Sequence, residues 1–336
     1  MLLGTQPRFR LATLPTPLQE AARLRDALGG PTRTPRILIK RDDLTGLAFG
    51  GNKVRKLEFL IADALAKNAT TLITAGAVQS NHARATAAAA CVAGLRSVLV
   101  LETKVEAPAE QGNLLLDRLL GAGVRFVPAG TEMDAAMAAV ARELEAAGER
   151  AYVIPIGGSS EIGVFGYVAA TLELMDQLFA LGTAPSRLYY ANGSRGTQAG
   201  LALGAKMFGA PYAVTGILIS PGETEKRRRA LEIANGAAML LGSGVRLTPD
   251  DLESVDGFIG EGYAAPTPEC DEAIRLLART EALFLDPVYS GKAMAGMISQ
   301  IRTGAITPDE TIVFLHTGGQ PALFAHAERL AAVANA

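Results

Sequence analysis

Short apolar runs of strand type recur along the chain, each followed by a longer segment of helical period. This alternation constrains the fold more than any other feature. ILIK at 37–40, TLITA at 71–75, SVLVLE at 97–102, VRFVPA at 124–129 and AYVIPI at 151–156 read as strands. LYYA at 188–191, VTGILI at 214–219 and TIVFLH at 311–316 continue the series. Between them, Leu57, Leu60, Ile61, Ala64 and Leu65 share one helix face. Further helical patterns cover Ala83 to Cys91 (with Gly94 as a stop), Met133 to Ala147, Val164 to Leu181 and Gln198 to Phe208. Thr224 to Ala234, Pro268 to Leu283 and Gly291 to Thr303 follow, and a last helix starts near Gln320-Pro321. Alternation of this kind predicts an α/β protein with mostly parallel sheets covered on both faces. No internal repeat or low-complexity linker is visible, so a second domain would be an insertion or a close partner.

Length allows two domains or one large α/β unit, at 336 residues. The three histidines, His82, His316 and His326, form no HExxH pair, and Cys91 and Cys270 stand far apart. Zinc, iron–sulfur and disulfide frameworks are therefore excluded, no metal site is expected, and both cysteines read as ordinary small residues. A net charge of −2 without a long basic run argues against a nucleic-acid partner. The N-terminal stretch has no apolar signal core, and no segment has membrane-spanning length, which predicts a cytoplasmic protein with no membrane partner. Difficult chemistry in such a chain falls to an organic cofactor.

In open α/β sheets ligands bind beyond the carboxyl ends of the strands. Three loops there are rich in glycine, amides and hydroxyls: 76–81, 192–197 and 316–319. Asn192 to Thr197 joins a strand to a helix start, and its glycines, Ser194 and Thr197 suit an anion. It matches neither a Walker loop nor GxGxxG, and a plain tight turn is an equal reading. Lys53 follows Gly50-Gly51-Asn52 near the apolar side of its helix, where desolvation would turn it into a usable amine. The plain alternative is a solvated lysine like Lys56. Ser80 suits a helix N-cap, and Asn81 beside it faces the same crevice. Asp42 and Asp43 read as turn and helix-start charges, and His82 as a packed histidine near the crevice.

Longer motifs carry a resemblance. KRDDLTGLAFGGNKVRKLEFL at 40–60, AGAVQSNHAR at 75–84, PIGGSSEIGVFGY at 155–167, GSRGTQAGL at 193–201, ARTEALFLDPVYSGKAMAGMI at 278–298 and FLHTGGQPALFA at 314–325 span nearly the whole chain. Together they resemble the pyridoxal-phosphate enzymes of the D-cysteine desulfhydrase and 1-aminocyclopropane-1-carboxylate deaminase family. The resemblance implies the tryptophan-synthase-β-like fold, fold type II, with two open twisted α/β domains. Residues 1–50 plus 163–336 would form the large, cofactor-binding domain and 51–162 the small one. It also implies pyridoxal 5'-phosphate as cofactor and a homodimer.

Residue by residue, the resemblance makes Lys53 the lysine joined to the cofactor and Asn81 the partner of its phenolic oxygen. Ser194, Arg195, Gly196 and Thr197 would hold the phosphate, and Thr317 would stand near the pyridine nitrogen. Ser80, Tyr263 and Tyr289 would act at the reacting carbon, with Gln79 and Asn81 beside the substrate carboxylate. The deaminases resemble DPVYEGK and carry leucine at the position of Thr317. Here Ser290 and Thr317 follow the desulfhydrase pattern, since a weaker electron sink suffices when a good leaving group sits on Cβ. The expected reaction is α,β-elimination from a small amino acid: D-cysteine to pyruvate, sulfide and ammonia. The alternatives are L-cysteate sulfo-lyase, then the deaminase, then a non-catalytic cofactor- or amino-acid-binding protein. Arg195 stands where the desulfhydrases carry a small residue. It would face solvent, contact the phosphate or reach an anionic substrate group, and the last option keeps L-cysteate open.

Overall fold

The structure is a computed structural model that describes residues 2–335. The chain runs β1 (Leu18–Glu20), α1 (Ala22–Ala27), β2 (Arg36–Lys40), α2 (Asn52–Ala66), β3 (Thr71–Ala77) and α3 (Asn81–Ala93). Next come β4 (Arg96–Thr103), α4 (Gly112–Leu119), β5 (Gly123–Pro128), α5 (Met133–Ala146), β6 (Ala151–Val153) and α6 (Phe165–Ala180). The third stretch is β7 (Arg187–Asn192), α7 (Gly196–Phe208), β8 (Ala213–Leu218), α8 (Glu223–Leu240) and β9 (Glu253–Val255). It closes with α9 (Pro268–Glu281), α10 (Ser290–Arg302), β10 (Thr311–Leu315), α11 (Pro321–Ala325) and α12 (Ala327–Asn335).

Two open sheets result, in the mixed α/β class expected. One has the order β1-β2-β10-β7-β8-β9 and the other β5-β4-β3-β6. Every pairing is parallel except β1 against β2. Both faces of the larger sheet are buried, as parallel strands between helix layers require. Ile37, Ile39, Ile312 and Phe314 pack on one face with residues of α9 and α10. Leu38, Val313 and Leu315 alternate to the other face, against α6 and α7. The smaller sheet buries Ile73, Ala75 and Val100 against α5, while Leu99 and Leu101 turn toward α3 and α4.

All eight expected strands form, and the differences have local causes. The segment predicted as a strand over 151–156 leaves the sheet after Val153, and Gly157 turns at φ 71°. Helix α8 runs to Leu240, not 234, because Ala237, Ala238 and Leu241 are buried and Asn235-Gly236 is carried through as helix. Elements β1, β9, α1 and α4 escape the pattern reading, being short or weakly apolar.

A buried charged network fastens α2 to the larger sheet. Arg55 donates to Asp42 Oδ2 at 2.8 Å and Oδ1 at 2.7 Å, and to Glu173 Oε2 at 2.9 Å. Lys40 Nζ reaches Glu173 at 2.5 Å, and the Tyr167 hydroxyl donates to Asp42 at 2.6 Å. Asp42 is thus a structural anchor, while Asp43 pairs separately with Arg41 at 2.7 Å. Gly166 on α6 lets the helices cross here: a Cβ there would lie 2.8 Å from the Lys56 nitrogen of the backbone.

Candidate active site

The strand ends of both sheets face one cavity of about 460 Å³, a size suited to a small cofactor with its substrate. Lys53, Ser80, Asn81, Ser194, Arg195, Thr197, Tyr263, Tyr289 and Thr317 all line it. Nine residues from six separate segments are thereby brought together.

Lys53 lies in the first turn of α2, half-buried, with Nζ donating to Asn52 Oδ1 at 3.1 Å. Burial lowers its amine from the ordinary lysine range to about 8, against the opposing pull of the Asp286 carboxylate. An amine attacks a carbonyl only when neutral, so the sign is definite: capture of an aldehyde cofactor by the apoprotein rises with pH and levels off above about 8. Stopped-flow rates of pyridoxal-phosphate uptake from about pH 6 to 11 check this; rates still rising at pH 10, toward the ordinary lysine value of 10.5, would contradict it. Lys56 is corrected as well. It is buried, not solvated, and its ammonium donates to the Gly157 carbonyl at 3.0 Å.

Ser80 combines both of its readings. Its hydroxyl caps α3 by accepting from Ala83 N–H at 3.1 Å, and the residue lines the cavity. Asn81 Oδ1 accepts from Asn113 Nδ2 at 2.9 Å, which leaves the Asn81 amide hydrogens for the cavity. Gln79 is a correction. It does not line the cavity: its amide oxygen accepts from Asn113 N–H at 2.9 Å and its nitrogen donates to the Gln111 carbonyl at 3.0 Å. The β3–α3 loop turns that side chain toward α4, where it orders the segment carrying Asn113.

The loop after β7 enters α7, whose N-terminal turn and the Ser194 and Thr197 hydroxyls converge on the cavity. Asn52 Nδ2 donates to Thr197 Oγ1 at 3.1 Å, so one amide bridges the lysine and this cradle. Gly196 faces away from the cavity, its N–H donating to Ser159 Oγ at 3.2 Å. A Cβ on it would stand 2.7 Å from that hydroxyl and 2.8 Å from Lys56 Nζ, so the close packing behind the cradle requires glycine. Arg195 is neither at solvent nor turned to a substrate. Its side chain is 1% exposed, its guanidinium pairs with Glu223, and its backbone sits at φ 70°.

In the same cavity wall, Tyr263 and Tyr289 pack edge to face, ring centres 6.0 Å apart, with their hydroxyls hydrogen-bonded. Loss of water around the half-buried Tyr289 hydroxyl raises its phenol above the ordinary range, so it remains protonated, while Tyr263 is the exposed member of the pair. Asp286 holds this wall: its carboxylate accepts from Val288 N–H at 2.9 Å, from Tyr289 and Ser290 N–H at 2.8 Å, and from the Ser290 hydroxyl at 2.6 Å. Thr317 lines the cavity, and its carbonyl accepts from Asn52 N–H at 3.1 Å. Ser290 does not line it, because its hydroxyl belongs to Asp286. Residue-by-residue reading of the sequence passed over Asn52, Asn113 and Asp286. Asn52 and Asp286 stand inside quoted motifs, whereas Asn113 had no local signal at all.

These features fit pyridoxal phosphate: a lysine of lowered pKa, an anion cradle bridged to it, an amide donor and phenol donors around one cavity. Comparison with known proteins agrees. A family model described as pyridoxal-phosphate dependent enzyme matches residues 9–318. D-cysteine desulfhydrases of Salmonella choleraesuis (strain SC-B67) and Salmonella typhi are each 43% identical over 324 residues, covering 95% of this chain and 96% of theirs. A crystal structure of an ACC deaminase homologue superposes with a TM-score of 0.89 at 37% identity, covering 99% of this chain and 98% of the other. The processed threonine deaminase isoform 2 of Solanum lycopersicum shares the fold, with a TM-score of 0.68 at 19% identity over 96% of this chain and 84% of its own. The expected fold type II is therefore the fold found, and this chain belongs to the family of pyridoxal-phosphate dependent enzymes.

Proposed function

We propose that the protein is a carbon–sulfur lyase that eliminates the β-substituent of a small amino acid, with D-cysteine as substrate and pyruvate, sulfide and ammonia as products. The cofactor, when bound, supplies an electron sink for the bond broken at Cα. The chain supplies the rest. Lys53 holds the cofactor and, once released, its Nζ takes the Cα proton. Asn81 donates to the phenolic oxygen, and Ser194, Thr197 and the α7 N-terminus anchor the phosphate. Ser80 and the first N–H groups of α3 take the substrate carboxylate. Tyr289, held by Asp286 and paired with Tyr263, donates a proton to the departing sulfur.

One observation carries the choice among lyases. The position after Tyr289 offers no acid to the cavity: Ser290 is committed to Asp286, and Glu102 is the only carboxylate among the lining residues. That absence supports elimination of a good leaving group over ring opening, as does the 43% identity to the Salmonella D-cysteine desulfhydrases. The commitment of Arg195 to Glu223 removes the feature that favoured a sulfonate substrate. Purified enzyme is offered D-cysteine, L-cysteate and 1-aminocyclopropane-1-carboxylate, and pyruvate, sulfide and sulfite are measured. Sulfide and pyruvate from D-cysteine are expected. Sulfite from L-cysteate without sulfide from D-cysteine overturns the proposal.

The reading includes a large domain of residues 1–50 plus 163–336 and a small one of 51–162. The membership of β2 and β7–β10 in one sheet and β3–β6 in the other supports it. It also includes a cytoplasmic homodimer, which light scattering on the purified protein tests for assembly.

A further inference from the structure

Lys226 stands at the end of the first turn of α8, half-buried, and lines the cavity with Ser220. Its Nζ donates to Ser220 Oγ at 2.6 Å, its only hydrogen-bond partner among the described residues. An ammonium carries three donors, so the others are available to a ligand. The sheet places this cation beside the anion cradle. Strands β7 and β8 pair in parallel with Asn192 opposite Leu218. The loops that follow these two strands carry Ser194 and Ser220, and both residues line the cavity.

Arg195 and Glu223 reinforce the arrangement. Arg195 belongs to the cradle and Glu223 to the first turn of α8, and their ion pair, buried on the arginine side and half-buried on the glutamate side, ties the two segments together. That pair also neutralises the guanidinium, so it leaves the cradle without a free arginine. Burial and the neighbouring Arg195 charge both lower the Lys226 ammonium from its ordinary range, an unfavourable placement that a bound dianion would reverse.

We propose that Lys226 is a ligand of the cofactor phosphate, presented from α8 across the strand gap to the group that Ser194 and Thr197 hold. The inference rests on the placement of the phosphate at residues 194–197 but not on the identity of the amino-acid substrate. It is tested on apoprotein by equilibrium binding of pyridoxal phosphate and of pyridoxal, which lacks the phosphate. Lys226→Met should weaken pyridoxal-phosphate binding about tenfold, the loss of one charge-assisted contact, and leave pyridoxal binding within about twofold. Lys226→Arg should keep most of the selectivity, and Lys226→Gln replaces the methionine variant should that one not fold. Thr197→Val is the control for the cradle itself. If Thr197→Val lowers the preference for the phosphorylated ligand and Lys226→Met does not, Lys226 is no phosphate ligand. If neither variant changes the preference, the phosphate lies elsewhere and the proposal fails with the placement. Equal weakening of both ligands by Lys226→Met also overturns it.

Discussion

Lys53→Ala is expected to lower turnover of D-cysteine by at least about a thousandfold, because in the proposed role one substitution would remove both the covalent hold on the cofactor and the base for the Cα proton. The protein should still fold. Lys53 is half-buried and lines the cavity, and its lowered pKa means that the charged amine is itself unfavourable there. Cofactor binding should weaken but persist, since the cradle of Ser194, Thr197 and α7 is untouched. Borohydride treatment followed by peptide mass analysis separates this reading from its rival. In the wild type the cofactor mass should be fixed on the peptide carrying Lys53, and in the variant on none. Lys56 is the competing amine, buried three residues away, but its ammonium donates to the Gly157 carbonyl behind the cradle. Cofactor mass fixed at Lys56, or turnover within tenfold of wild type, would remove Lys53 from the role.

Arg55→Met should cost the most stability, about 3–5 kcal/mol, the range for removing one partner of a buried ion pair. The side chain of Arg55 is 2% exposed and that of Asp42 fully buried, so the variant takes from the Asp42 carboxylate its direct ion-pair partner. Urea unfolding followed by circular dichroism reads the loss as a lower midpoint at unchanged slope. A loss under about 0.5 kcal/mol, the range of ordinary surface substitutions, would show that the network is dispensable. The acid limb of the wild type follows from the same groups. Arg55 and Lys40 together outweigh burial and hold Glu173 down at about 2, and Asp42 is also lowered. Depressed carboxylates stabilise the fold above their unfolded values, and that stability is lost as pH falls through the folded ones. The wild type should therefore lose stability between about pH 4.5 and 2, and Arg55→Met should show a shallower loss there. Arg55 shares the first turn of α2 with Lys53, so the variant should impair turnover as well.

Hydropathy pattern alone specifies the succession of strands and helices, because strands buried between two helix layers must be apolar on both sides and their helices must be apolar on one. The motifs of the sequence also singled out Lys53, the 194–197 loop and the tyrosines, and Lys53, Ser194, Arg195, Thr197, Tyr263 and Tyr289 all line the cavity. Tertiary structure decided what those side chains face. Gln79 belongs to the same loop as Ser80 and Asn81, yet it turns to α4 because Asn113 and Gln111 satisfy its amide. Lys56 reads like a solvated neighbour of Lys53, but the α2–α6 crossing buries it. Arg195 carries a charge that three readings could use, and Glu223 on another helix takes it. Hydropathy and spacing record whether a position is apolar and where it lies on its own element. They do not record which polar group from a distant segment will meet it, and in a low-dielectric cavity that meeting sets charge, direction and role.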